Sequence, residues 1–293
     1  MITAFATRGE RLHQLDLSDH SLHEAIWIDL EAPTQAEEDA VEAALRIDIP
    51  TREDMQEIEV SSRIYREDGV LFLTAQVIAS PDAREAEIGP VTFAVQPDRL
   101  VTVHYHHPRS LTYFADWAAR HDMALETGLD AALGLLEAIV DRLADILEGE
   151  TRQHELLAKA IFAAHRPQGK TDTLSAVLQR IGRAEAMNGK VNESLATVLR
   201  LLTYLTSTPE VSDGPCLHAR QMPIALAQLQ DLRSLREVAA AQADKVRFLL
   251  DATLGVINIR QSDVIKIFSV VAFVFLPPTL IASIYGMNFV HMP

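Results

Sequence analysis

Between Ile267 and Ile284 the chain reads IFSVVAFVFLPPTLIASI, with no formal charge. About 18 residues rising about 1.5 Å each reach most of the way across a hydrocarbon core of about 30 Å, and the flanks supply the rest. The pattern predicts a transmembrane helix; the ordinary alternative is a buried helix of a soluble protein, which usually keeps a polar stripe. Arg260 and Lys266 precede the run and no Lys or Arg follows it. Because Lys and Arg stay on the cytoplasmic side, the N-terminal bulk is expected in the cytoplasm.

Ahead of that run the pattern changes once. Up to about residue 108, short β-rich runs recur: Met1–Phe5, Ala25–Leu30, Val70–Ile78, Pro90–Val95 and Leu100–His106. Turn signals separate them, among them Asp68-Gly69 and Gln96-Pro97-Asp98, so they predict one sheet. Thr34 with Glu37, and Thr51 with Asp54, have the spacing of capping boxes opening two short helices. From Ser110 onward only helical periodicity remains. Leu129–His165 and Thr173–Thr206 each carry leucines at helical spacing, and Arg166-Pro167-Gln168-Gly169 divides them into a predicted antiparallel hairpin. From Pro223 to about Ile284 nothing breaks the helical pattern, which predicts one helix of about 60 residues, on the order of 90 Å long. A helix of that length entering a bilayer is expected to pack against copies of itself.

The fold class expected is α+β: an N-terminal cytoplasmic α/β domain with a mixed sheet, a long helical hairpin, and a very long C-terminal stalk helix entering the membrane. The boundaries are 1–125 for the α/β domain, 126–217 for the hairpin, 218–264 for the stalk, 265–285 for the first transmembrane helix and 286–293 for the loop beyond it.

Steps of three and four along the last helix trace Asp251, Gly255, Asn258, Ser262, Ile265, Ser269, Ala272, Leu276, Thr279 and Ser283. This stripe gathers nearly every small or polar residue of the segment, whereas Val256, Ile259, Ile267, Val270, Val274 and Ile281 make an apolar opposite face. Within a membrane, small and polar residues face other helices or water. Close helix packing without water, and a narrow pore with Asp251 and Asn258 at a cation-friendly entry and Ile265 and Leu276 as apolar constrictions, both satisfy the pattern. Pro277-Pro278 inside the run predicts a bend.

Charge and chemistry narrow the classes. With 41 Asp+Glu against 26 Lys+Arg the net charge is −15, which argues against a nucleic-acid partner and suits cations. One cysteine, Cys216, permits no internal disulfide, and the N-terminus has no secretory signal. His104-Tyr105-His106-His107 suggests a metal site, but no Cys, Asp or Glu stands at ligand spacing, and the end of an edge strand is the expectation. No nucleophile elbow, Walker A loop, HExxH or GxGxxG occurs, so an enzyme is not expected.

Several segments carry a resemblance. Asn258-Ile259, Ile265-Lys266-Ile267-Phe268-Ser269-Val270, Phe275-Leu276-Pro277-Pro278-Thr279-Leu280 and Tyr285-Gly286-Met287-Asn288-Phe289 with Met292-Pro293 closely resemble the CorA family of divalent-cation, chiefly magnesium, channels. Ala25–Leu30, Asp54–Ser62, Thr92-Phe93 and Lys245–Ile259 extend the likeness, of the enterobacterial type, over essentially the whole chain. The resemblance implies a homopentamer in the bacterial inner membrane, transporting Mg²⁺ and also Co²⁺ or Ni²⁺. By it, Gly286, Met287 and Asn288 form the selectivity ring, and Ser262, Ile265, Phe268, Leu276 and Thr279 line the pore with Asp251 and Asn258. Phe268 lies one position off the stripe. Regulatory metal sites between subunits would bind intracellular Mg²⁺; the candidates are Asp231, Asp244 and Asp251, with Asp82, Glu85 and Glu87 considered in the loop before Gly89. Family members continue into a second transmembrane helix, and this chain stops at Pro293, so a truncated product is expected whose conduction by itself is in question. Two rival functions stand beside the channel. A zinc transporter of the same fold usually carries another residue at the position of Met287, and a non-conducting membrane-anchored scaffold or metal sensor would need no pore.

Overall fold

The structure, a computed structural model, describes residues 1–16, 22–57, 59–79, 86–164, 172–208 and 214–286. It resolves into two compact units: 1–152 with 183–243, and 153–182 with 244–293.

The first unit is organised by a seven-stranded mixed sheet. Its strands are β1 (Ile2–Arg8), β2 (Arg11–Gln14), β3 (Trp27–Glu31), β4 (Ile64–Glu67), β5 (Val70–Ile78), β6 (Ile88–Val95) and β7 (Leu100–His104). The order is β2-β1-β3-β7-β6-β5-β4. Only β3 and β7 run parallel, with Trp27 opposite Leu100; every other pair is antiparallel. Side chains alternate across the pleat, so Trp27, Leu71, Leu73, Phe93 and Leu100 join one core while Ile28, Leu30, Phe72, Val101 and Val103 join another. The second core is closed by Val41 and Leu45 of α1 (Gln35–Leu45) and Met55 of α2 (Arg52–Gln56). Both expected capping boxes are formed: Glu37 accepts from the Thr34 N–H at 2.8 Å and Asp54 from the Thr51 N–H at 2.9 Å.

Three features of the sheet differ from the sequence expectation. The strands β2 and β4 were not anticipated; at four residues each, with charged ends, they are the two edges, where short polar strands discourage further pairing. The last strand stops at His104 and not His106, because His104 Nδ1 contacts the His106 carbonyl at 2.6 Å and the chain bends there. This strand also lies at the centre of the sheet, so the edge-strand reading of His104 is corrected.

The first core continues into helices. After α3 (Val60–Arg63) and α4 (Arg109–Ala118) come α5 (Gly128–Ala164), α6 (Asp172–Ser207) and α7 (Met222–Tyr285, 64 residues). Leu133, Leu136 and Leu143 of α5 bury with Val191, Leu195 and Leu202 of α6 and Ala225, Leu229 and Leu232 of α7. Buried amides tie these helices through backbone carbonyls: Asn188 Nδ2 donates to Ala239 O at 3.0 Å, Gln228 Nε2 to Leu133 O at 3.1 Å and Gln242 Nε2 to Leu147 O at 2.8 Å. The first turn of α5 requires Gly128, since a Cβ there would overlap the carbonyl oxygens of Arg99 and Gln96.

In the second unit, Leu157, Ile161, Leu174, Val177 and Ile181 are buried, as are Val246, Leu249 and Val256 of α7. The α7 positions recur at three and seven residues, so one side of the helix is covered and the other is free.

Candidate functional site

The free side of α7 includes the small and polar stripe, beside Phe248, Leu250, Leu254 and Ile259, which are exposed as well. Asp251, Gly255, Asn258 and Ser262 are all exposed, whereas Val246, Leu249, Thr253 and Val256 are buried. Beyond Arg260 every described residue to Gly286 is exposed, and none of the most apolar 18-residue window is buried. Phe268 is 70% exposed and Leu276 64%. An apolar surface that size is stable only in lipid or against other helices.

Hydroxyls on the stripe have a fixed polarity. Ser269 Oγ donates to Ile265 O at 2.8 Å, and Thr279 Oγ1 to Phe275 O at 2.9 Å and Leu276 O at 3.0 Å. Each proton is turned into the helix, leaving the oxygen's lone pairs outward as acceptors. Acceptors suit the hydrogens of a cation's bound water and do not suit an anion. Pro277 and Pro278 sit within the helix and lack N–H donors, which frees the carbonyls of Phe273 and Val274. Water or a neighbouring helix must satisfy these oxygens in a membrane. Gly286 N–H still bonds Ala282 O at 2.9 Å; Met287 and Asn288 lie outside the described residues.

The acids nominated as regulatory are spread along α7. Asp231 and Asp244 are 13 residues apart, about 20 Å of helix, and Asp251 lies about 10 Å further. Asp244 forms an exposed pair with Arg247 at 3.2 Å. Among the described residues no group of three His, Cys, Asp or Glu is placed to hold a metal. Glu87 is exposed, and Asp82 and Glu85 lie outside the described residues.

Asp231 has a local role that its sequence position did not reveal. Burial raises the Glu137 carboxyl above its ordinary range, and the charges of Asp141 and Asp231 add to this. Burial raises Asp141 too, with Asp145 and Asp231 contributing. The sequence signal was present, since 137, 141 and 145 are acids at i, i+4 and i+8 of α5.

The histidine cluster is structural. His104 Nε2 meets Asp29 Oδ1 at 3.1 Å, and the same oxygen accepts from Thr102 Oγ1, which accepts from Trp27 Nε1 at 2.9 Å. Burial disfavours the charged His104 ring, but the Asp29 hydrogen bond and charge and the His106 carbonyl outweigh it and raise the group above its ordinary value. Burial carries His106 the other way, below its ordinary value; its Nε2 faces Val77 O at 3.0 Å. His107 is paired with Glu31 at the surface.

The chain is similar to known proteins. A family model described as CorA-like Mg²⁺ transporter protein matches residues 23–293. The magnesium transport protein CorA of Escherichia coli K12 is 32% identical over 294 aligned positions, taking in 100% of this chain and 90% of the relative. CorA of Salmonella typhimurium LT2 has the same identity and coverage. Among solved structures, the CorA magnesium transporter of Methanocaldococcus jannaschii superposes with a TM-score of 0.78 at 17% identity, over 100% of this chain and 89% of that one, a likeness of fold.

Proposed function

Because the chain belongs to the CorA-like Mg²⁺ transporter family, it is an inner-membrane transporter and not an enzyme, with its N-terminal part in the cytoplasm; we propose that five copies enclose a water-filled path along the α7 stripe. Gly286, Met287 and Asn288 ring its outer mouth. Thr279, Leu276, Phe268, Ile265, Ser262, Asn258 and Asp251 follow inward. The observation that carries this reading is the free side of α7, where exposed small and polar residues alternate with hydroxyls whose protons are turned into the helix.

Magnesium sheds its water reluctantly and keeps near-octahedral oxygen coordination. A pore for it therefore works best by accepting hydrogen bonds from the hydrated ion, which neutral amide and hydroxyl oxygens do without the tight binding of a carboxylate ring. Five Asn288 amides supply such acceptors. Co²⁺ and Ni²⁺, hydrated ions of the same charge, pass by the same route. Intracellular Mg²⁺ closes the path by neutralising carboxylates that face one another between copies, Asp251 foremost, with Asp231 and Asp244 as further candidates.

Mg²⁺ uptake into proteoliposomes tests the reading. Asn288→Ala should abolish uptake while the protein remains inserted and assembled. Zn²⁺ flux driven by a proton gradient, with no Mg²⁺ flux, would replace this reading with that of a zinc transporter; absence of any divalent flux would leave a scaffold or sensor.

A further inference from the structure

A groove of about 660 Å³ in the first unit is lined by Ile64 of β4, by Ala196, Leu199, Arg200, Thr203, Tyr204 and Ser207 of α6, and by Arg236 of α7. The α6 residues recur at three and four positions, so a single helical face forms one wall. Among the described residues no carboxylate lines the groove, although the chain carries 41 Asp+Glu. Arg200 and Arg236 make no ion pair or hydrogen bond among the described residues. In so acidic a protein, two guanidinium groups left unpaired on one concavity form a local site of opposite sign.

A third arginine orders the donors. Arg66 Nη2 donates to Pro215 O at 2.8 Å, and Arg66 Nε donates to the Tyr204 hydroxyl oxygen at 3.4 Å. A phenol that accepts from a guanidinium must turn its own proton elsewhere, so Tyr204 remains a donor to the groove. Thr203 and Ser207 have already committed their protons to Leu199 O and Tyr204 O. Among the described residues the available donors are thus two guanidinium groups and one phenol, beside apolar walls from Ile64, Ala196 and Leu199. Planar forks of this kind match phosphate oxygens bidentately, and the volume suits a ligand the size of a nucleotide.

We propose that this groove binds a nucleoside polyphosphate, its phosphates on Arg200 and Arg236 with the Tyr204 hydroxyl, and its base against Ile64 and Leu199. The proposal is independent of the pore reading, because every residue involved lies in the first unit and none belongs to the apolar segment.

The test is equilibrium dialysis of ATP against the full chain in detergent, with EDTA present. Saturable binding is expected, weaker for inorganic phosphate, about tenfold weaker for Arg200→Gln or Arg236→Gln, and weaker again for the double variant. In the unsubstituted chain, ATP should slow amide exchange across 199–207 and leave 128–147 unchanged, a readout that needs no variant to fold. Four results would overturn the proposal: no saturable binding, equal binding by the double variant, binding only when Mg²⁺ is supplied, or variants that keep their helix content but lose their assembled size. The last would mark the groove as a contact for a neighbouring copy.

Discussion

Asp130 links the starts of α5 and α7. Its Oδ2 accepts from the N–H groups of Glu126 at 3.1 Å and Thr127 at 2.9 Å, and its Oδ1 from Gln221 Nε2 at 2.7 Å. Arg220 Nη2 lies 2.5 Å from Oδ2. Burial alone would raise this carboxyl, but hydrogen bonds from Gln221, Thr127 and the two backbone N–H groups outweigh it and hold the group below its ordinary value. A carboxyl depressed in the folded state contributes stability that is present above its unfolded value of about 3.9 and is lost as pH falls through the folded value. Asp130→Ala should therefore destabilise the fold by about 2–3 kcal/mol at neutral pH in urea unfolding, Arg220 being partly hydrated. Asp130→Asn should flatten the loss of stability on acidification below about pH 4. An acid limb identical to the parent protein's would show that the carboxylate is not the group responsible. The Thr127-x-x-Asp130 spacing is a capping box visible in the sequence, as at Thr34 and Thr51. What sequence could not supply is the reach of Arg220 and Gln221 across about 90 positions.

At the scale of elements, patterns that repeat were legible and single contacts were not. A β-rich run bounded by turn signals gave β5 with its correct ends, Val70–Ile78, and period 3.6 gave α5, α6 and the unbroken α7. The strands β2 and β4 escaped because four residues ending in Arg, Gln or Glu carry almost no alternation. The centre position of β7 escaped because parallel pairing with β3 is a long-range event, and His104 became recognisable as a core residue only once Asp29 stood beside it. The candidate pore face was legible because one helix bears all of it. Its polarity was not: that the Thr279 and Ser269 protons turn inward is a matter of rotamer. Thr279→Val keeps the volume and removes the outward acceptor, so Mg²⁺ uptake should fall by about tenfold with assembly intact. Thr279→Ser, which restores the oxygen, should recover most of it. Equal uptake by Thr279→Val and the parent protein would mean that this level of the path is passed without contact with the hydroxyl.

For the molecule as a whole, the charge of −15 per chain would multiply in the proposed five-copy assembly, which would hold a strongly negative field around the inner end of the path. In that proposed assembly Asp251 is where the field would act on the path, because it is the acid on the free side of α7 nearest the apolar segment that also continues the small and polar stripe. Five carboxylates brought to one ring would repel each other across short distances, and the repulsion would spread the helices until a divalent ion bridged them. Mg²⁺ on the cytoplasmic side would then draw the ring together, so that the transported ion limits its own entry. Removing the charge removes the reason for both spreading and closure. Asp251→Asn should leave uptake into Mg²⁺-free vesicles within a few-fold of the parent protein while raising, by about tenfold, the internal Mg²⁺ needed to suppress it. Raising ionic strength should mimic part of that change in the parent protein, since screening beyond about 8 Å weakens the same repulsion, and should add little in Asp251→Asn. Uptake assays on vesicles preloaded with graded Mg²⁺ separate the outcomes: an unshifted inhibition curve for Asp251→Asn would place the regulatory carboxylates elsewhere, with Asp231 and Asp244 the next to substitute.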